Sequence, residues 1–117
     1  MSDKGQLFVV GTPIGNLEDI TLRAISTLQN VDTILAEDTR NSKKLLDAHN
    51  IDTKMMSYHD HSREKEIKKI VNLLLEGKDL ALISDAGTPT ISDPGYGLIR
   101  DCIKHDISII PIPVASS

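Results

Sequence analysis

Apolar residues fall in short unbroken runs that alternate with amphipathic stretches along the chain. Gln6 to Val10, Thr33 to Ala36, Leu80 to Ile83 and Ile107 to Ile110 are runs of four or five residues rich in aliphatic side chains, which suits strands buried on both faces. Lys54 to Ser57 is a fifth, more polar candidate. Between these runs the period changes. Ile20, Ala24, Ile25 and Leu28 recur at helical spacing, with Asp19 or Thr21 placed to cap the start. Leu45, Leu46 and His49 read as a short helix opened by Ser42 and closed at Asn50. From Glu64 to Glu76, residues Ile67, Ile70, Val71, Leu74 and Leu75 form an i, i+3, i+4, i+7, i+8 stripe, and Gly77 stands where a helix ends. Leu98, Ile99, Cys102 and Ile103 make one more helix face. Strand and helix thus alternate, and right-handed crossovers then predict an α/β fold: a mostly parallel five-stranded sheet with helices on both faces.

The 117 residues fit a single domain. Pro-Ile-Pro-Val-Ala-Ser-Ser follows the last strand with no helix to cover the sheet edge, so residues 1–117 are expected to be the first domain of a two-domain protein. Hydrophobic content of 39% and charged content of 26% are ordinary for a globular chain. No apolar run approaches a membrane span and the first residues lack a signal peptide, which points to the cytoplasm. A single cysteine, Cys102, excludes an internal disulfide and a cysteine metal cluster. The net charge of −4 gives no broad basic face, and three aromatics, Phe8, Tyr58 and Tyr96, are too few for a base-stacking platform. A stand-alone RNA-binding module is therefore disfavoured.

Ligands of open parallel sheets gather where the strands end. Gly11 to Asn16, after the first strand, allows a tight turn and close backbone approach, although a structural turn explains it equally well. It matches neither the dinucleotide nor the P-loop glycine pattern. Ser84 to Gly95 is long, small-residued and stiffened by Pro89 and Pro94, as a shaped binding wall would be. Glu37, Asp38 and Arg40 follow the second strand, and His59 and His61 the third. Convergent ionisable groups at strand ends are candidates for substrate contact or general base work. A surface ion pair to Arg40 and a capping Asp38 account for the run as well. His59 and His61 lack a firm third ligand, so no metal site is assigned.

Val9 to Leu17, Asp19 to Ala24, Ala36 to Arg40, Ser57 to His59 and Ala81 to Gly95, in this order and spacing, resemble the ribosomal RNA methyltransferase branch of the tetrapyrrole methylase family. The resemblance runs through almost the whole chain. It implies two α/β domains with S-adenosylmethionine in the cleft between them, a homodimer, and methylation of a cytidine ribose 2′-hydroxyl in the decoding region of small-subunit ribosomal RNA. Carried over by motif, Pro13, Ile14 and Gly15 border the cofactor, Asp85, Ala86, Gly87, Thr88 and Ile91 wrap it, and Ser116 and Ser117 contact its adenosine end. Glu37 or His59 would assist deprotonation of the hydroxyl.

Two departures from the family pattern stand out. Val114 replaces a glycine, and Asp60 to Arg63 differs from the His-Asn-Glu run expected after His59. A tetrapyrrole substrate on the same fold is the nearest alternative. Porphyrin-directed relatives carry Gly-x-Gly-Pro-Gly-Asp in the first loop, and Gly-Thr-Pro-Ile-Gly-Asn here favours RNA. A non-catalytic ligand-binding or dimerisation domain is the third reading.

Overall fold

The computed structural model describes residues 4–11, 20–36, 39–58, 63–84 and 95–112. Strands β1 (Leu7–Gly11), β2 (Thr33–Ala36), β3 (Lys54–Ser57), β4 (Leu80–Ser84) and β5 (Ile109–Ile112) alternate with helices α1 (Leu22–Asn30), α2 (Thr39–Ala48), α3 (Arg63–Leu75) and α4 (Gly95–Lys104). All four strand pairings are parallel, in the order β3-β2-β4-β1-β5. This is the α/β architecture expected from the alternation of periods.

The strand order dictates the layers. The chain steps towards the β3 edge from β1 to β2 and from β2 to β3, then back towards the β5 edge from β3 to β4 and from β4 to β5. Crossovers of one hand must therefore put α1 and α2 on one face and α3 and α4 on the other. The two cores agree. Ala24, Leu28, Leu45 and Leu46 pack with Val10, Ile34, Ala81 and Ile83. Ile67, Ile70, Leu74, Leu98 and Cys102 pack with Leu7, Leu35, Leu80 and Leu82. Successive residues of β4 thus feed the two cores in turn, as the pleat requires. A fully buried leucine such as Leu74 contributes about 1.5–3 kcal/mol relative to exposure. Burial, reinforced by Asp101, pushes the Cys102 thiol up to about 12.

Helix ends follow from local chemistry. The Ala24 N–H donates to Thr21 Oγ1 at 3.0 Å, so Thr21 caps α1. Three helices close with one pattern of paired backbone bonds. After α3 the N–H groups of Gly77 and Lys78 donate to the carbonyls of Leu74 and Leu73. Those of Asn50 and Ile51 reach Asp47 and Leu46 after α2, and those of Asp106 and Ile107 reach Ile103 and Cys102 after α4. The left-handed residue in each is Gly77 (φ 102°), Asn50 (φ 57°) and Asp106 (φ 58°).

Several sequence expectations need correction. Ser42 does not open α2. The helix begins at Thr39, and Ser42 lies within it, buried one turn before Leu45 and Leu46, while His49 falls in the turn beyond Ala48. The last strand lies two residues later than the aliphatic run suggests, because Ile107 is drawn into the closing turn of α4. Pro111 is tolerated in β5 because that strand is an edge, paired with β1 alone. Ile103 is 62% exposed rather than part of the buried face of α4. The first strand, β4 and α3 differ from expectation by a residue at one end or both.

At the amino ends of the strands, two carboxylates stitch the sheet. The Gln6 N–H donates to Asp79 Oδ1 at 2.9 Å, and the Asp79 N–H donates to Asp32 Oδ2 at 2.9 Å. The Asp32 N–H returns a bond to the Asp79 carbonyl at 2.8 Å. Gly5 is buried against this ring, and a Cβ there would collide with the Lys78 carbonyl.

Candidate functional site

Parallel pairing brings the carboxyl ends of all five strands to one side of the sheet. Gly11 stands level with Ser84, Ala36 with Ser57, and Val10 with Ile112. The chain leaves these ends into every segment that the sequence singles out. β2 and β4 are neighbours whose onward connections run to opposite sides of the sheet. Such a divergence opens a crevice at the strand ends, the usual ligand position in open α/β sheets. Glu37 follows the strand on one side of that crevice and Asp85 the strand on the other.

Glu37, His59, Pro13, Ile14, Gly15, Asp85, Ala86, Gly87, Thr88, Ile91, Ser116 and Ser117 themselves lie outside the described residues, as do Asp38, His61 and Val114. Arg40 is described. It is exposed in the first turn of α2, four residues beyond the end of β2, and makes polar contact with its surroundings. The structure thereby sets Arg40 on the carboxyl side of the sheet.

Sequence reading passed over the part played by Tyr58. Its side chain is wholly buried, and its backbone N–H donates to the Ala36 carbonyl at 3.0 Å. The bond ties the exit of β2 to the exit of β3, one residue before Glu37 and one before His59. The two candidate proton acceptors are therefore attached to hydrogen-bonded neighbours. An aromatic immediately after a strand, in a chain with three aromatics, was the available signal.

Grooves among the described residues lie elsewhere. One of about 280 Å³, lined by Phe8, Arg23, Asn30 and Asp79 among others, opens at the amino ends of the strands. Another, bounded by Asp32, Asn50 and Asp52, shares that side. Neither adjoins the crevice. Among the described residues no group of three His, Cys, Asp or Glu side chains gathers to hold a metal, and no helix is long and apolar enough to cross a membrane.

Comparison with known proteins adds chemistry to this geometry. Residues 6–117 match the family model described as tetrapyrrole (corrin/porphyrin) methylases. The chain is 56% identical over 115 residues to a ribosomal RNA small subunit methyltransferase I of Halalkalibacterium halodurans, covering 98% of this chain and 40% of that protein. The chain thus spans less than half the length of this relative. Among solved structures, a cobalt precorrin-4 methyltransferase of cobalamin biosynthesis superposes with a TM-score of 0.77 at 18% identity, over 95% of this chain and 46% of the other. A uroporphyrin-III C-methyltransferase from Thermus thermophilus, complexed with S-adenyl homocysteine, superposes with a TM-score of 0.71 at 16% identity, over 96% and 49%.

Proposed function

The chain belongs to the tetrapyrrole methylase family, and from that premise we propose that it forms the N-terminal, S-adenosylmethionine-binding half of a methyltransferase acting on small-subunit ribosomal RNA. The methyl acceptor is the ribose 2′-hydroxyl of a cytidine in the decoding region. The observation that carries this reading is the 56% identity to a ribosomal RNA small subunit methyltransferase I, against 18% and 16% to the corrin and porphyrin enzymes. A C-terminal domain completes the cofactor cleft, the enzyme is a homodimer, and it works in the cytoplasm on the small subunit.

The residue types at the carboxyl edge fit such a cofactor. By motif, Asp85, Ala86, Gly87, Thr88 and Ile91 wrap the cofactor, Pro13, Ile14 and Gly15 border it, and Ser116 and Ser117 contact its adenosine end. Bound S-adenosylmethionine supplies an electrophilic methyl carbon on a sulfonium centre. The chain's own residues hold the hydroxyl in line with that carbon, and orientation alone supplies a large share of the rate. As the methyl group passes from sulfur to the 2′-oxygen, the S–C bond breaking and S-adenosylhomocysteine leaving, Glu37 would take the hydroxyl proton, His59 would stand as the second acceptor, and Arg40 would hold the neighbouring phosphate.

Single-turnover methylation of undermethylated small subunits by the full-length enzyme tests the assignment. Glu37→Gln lowers the rate by about 10²-fold with cofactor and RNA affinity nearly unchanged. Asp85→Lys abolishes cofactor binding in a calorimetric titration while the circular dichroism spectrum is retained. Wild-type cofactor affinity in Asp85→Lys moves the cofactor site elsewhere. Activity on uroporphyrinogen and none on the subunit transfers the protein to the tetrapyrrole branch.

A further inference from the structure

Charge is unevenly spread over this fold. α2, β3 and α3, the elements that build one edge of the sheet, carry eight of the chain's 13 Lys and Arg but only three of its 17 Asp and Glu. Their net charge is +5, and the rest of the chain holds −9. The basic side chains are on the surface: Lys43 and Lys44 on α2, Lys54 on the edge strand, and Lys65, Lys68 and Lys69 on α3 are all exposed. Each helix meanwhile turns its apolar stripe to the sheet, Leu45 and Leu46 on one face and Ile67, Ile70 and Leu74 on the other. Both helices start at the carboxyl edge, so at 1.5 Å per residue their lysines lie within about 10 Å, along the axis, of the helix ends nearest the crevice.

We propose that this edge is the surface on which the phosphodiester backbone of the RNA substrate docks, so that nucleotides flanking the target lie over α2, β3 and α3 while the target ribose enters the crevice. The inference rests on the ribosomal RNA reading above. A compact anion needs a concave, convergent site, whereas exposed lysines on two opposite faces and the strand between them match an extended polyanion. Lysine serves as a point charge for phosphate, and contacts of this kind position a nucleic acid without reading its sequence. With so few aromatics, and Tyr58 buried, this half recognises backbone and not bases. The same asymmetry answers the objection that a chain of net −4 is unsuited to RNA, because the acidic excess lies in the segments that connect the elements and leaves the helix faces and edge strand basic.

The test uses the full-length enzyme with small-subunit RNA as probe. Lys43→Ala/Lys44→Ala on α2 and Lys65→Ala/Lys68→Ala/Lys69→Ala on α3 are compared with Arg100→Ala/Lys104→Ala on α4, which leaves the basic edge intact. RNA affinity is measured across a range of salt, together with cofactor affinity and methylation kinetics. The slope of log affinity against log salt is expected to fall by about 0.7–0.9 for each lysine that meets a phosphate. The KM for RNA rises at least about 10-fold in the edge variants, kcat and cofactor affinity stay at wild-type values, and the α4 variant leaves the slope unchanged. An unchanged slope in the edge variants, or an equal fall in the α4 variant, overturns the inference while the methyltransferase reading stands. A wild-type enzyme that neither binds nor methylates the RNA overturns that reading and the inference together.

Discussion

Three residues with left-handed backbone close α2, α3 and α4, and only one is a glycine. At Gly77 the conformation costs nothing, whereas a side chain there suffers the contact between Cβ and carbonyl that makes the left-handed region unfavourable by roughly 1–2 kcal/mol. Gly77→Ala is therefore expected to lower stability by about that amount in urea unfolding. Asp106→Gly moves in the opposite direction, gaining about 0.5 kcal/mol or more as strain at φ 58° is relieved. A shared sign for the two substitutions would contradict this account of the helix ends. Gly77 and Asn50 were legible as exits because their residue types announce the geometry. Asp106 and Gly5 were not, since aspartate rarely signals a left-handed turn, and the need for glycine at position 5 arises from the Lys78 carbonyl, 73 residues away.

Elements were legible wherever periodicity alone decides them. β2 and β3 match their expected bounds, and α3 is displaced by one residue. The misses share a cause, which is competition between neighbouring elements for the same residues. Ser42 has the chemistry of a cap, yet α2 extends a turn further and buries it; Ile107 has the pattern of a strand, yet the end of α4 claims it. The joint between β1, β2 and β4 depends instead on polar bonds from Asp32 and Asp79, which no hydrophobic pattern reports. Asp79→Ala leaves the Gln6 N–H without its acceptor and is expected to cost about 1 kcal/mol. Faster amide exchange at Gln6, with protection retained in α3, would localise the damage to this joint. Uniform acceleration throughout the chain would show instead that the joint is not a separable unit.

At the scale of the molecule, the fold separates two tasks. Its amino-end pole is stitched by carboxylates, and its carboxyl pole presents the crevice from which the candidate segments depart. The crevice position follows from strand order, and strand order cannot be read from a list of strands, because a pattern of periods does not say that β4 inserts between β2 and β1. The residue roles proposed for the site come chiefly from motif resemblance. Small residues such as Ala86 and Gly87 have only their backbone to offer a ligand, so side-chain chemistry gives little notice of such a role. The basic edge escaped notice for a different reason: the net charge sums +5 on three elements with −9 on all the remaining residues, and the total describes neither.

Cys102, the chain's sole thiol, is sealed between α4 and the sheet. With its ionisation pushed up to about 12, it carries almost no thiolate at neutral pH, and the reagents that seek thiolates cannot reach it. This makes it a built-in clock for opening of the α4 layer. Alkylation at pH 8 is expected to proceed only through molecules in which α4 has lifted or the chain has unfolded, so its rate counts those excursions. Prompt labelling of the native chain, at the rate of a free cysteine, would contradict this. The same burial sets an alkaline limit: stability contributed by the protonated thiol is intact below the unfolded value of 9.0 and drains away as pH climbs towards 12.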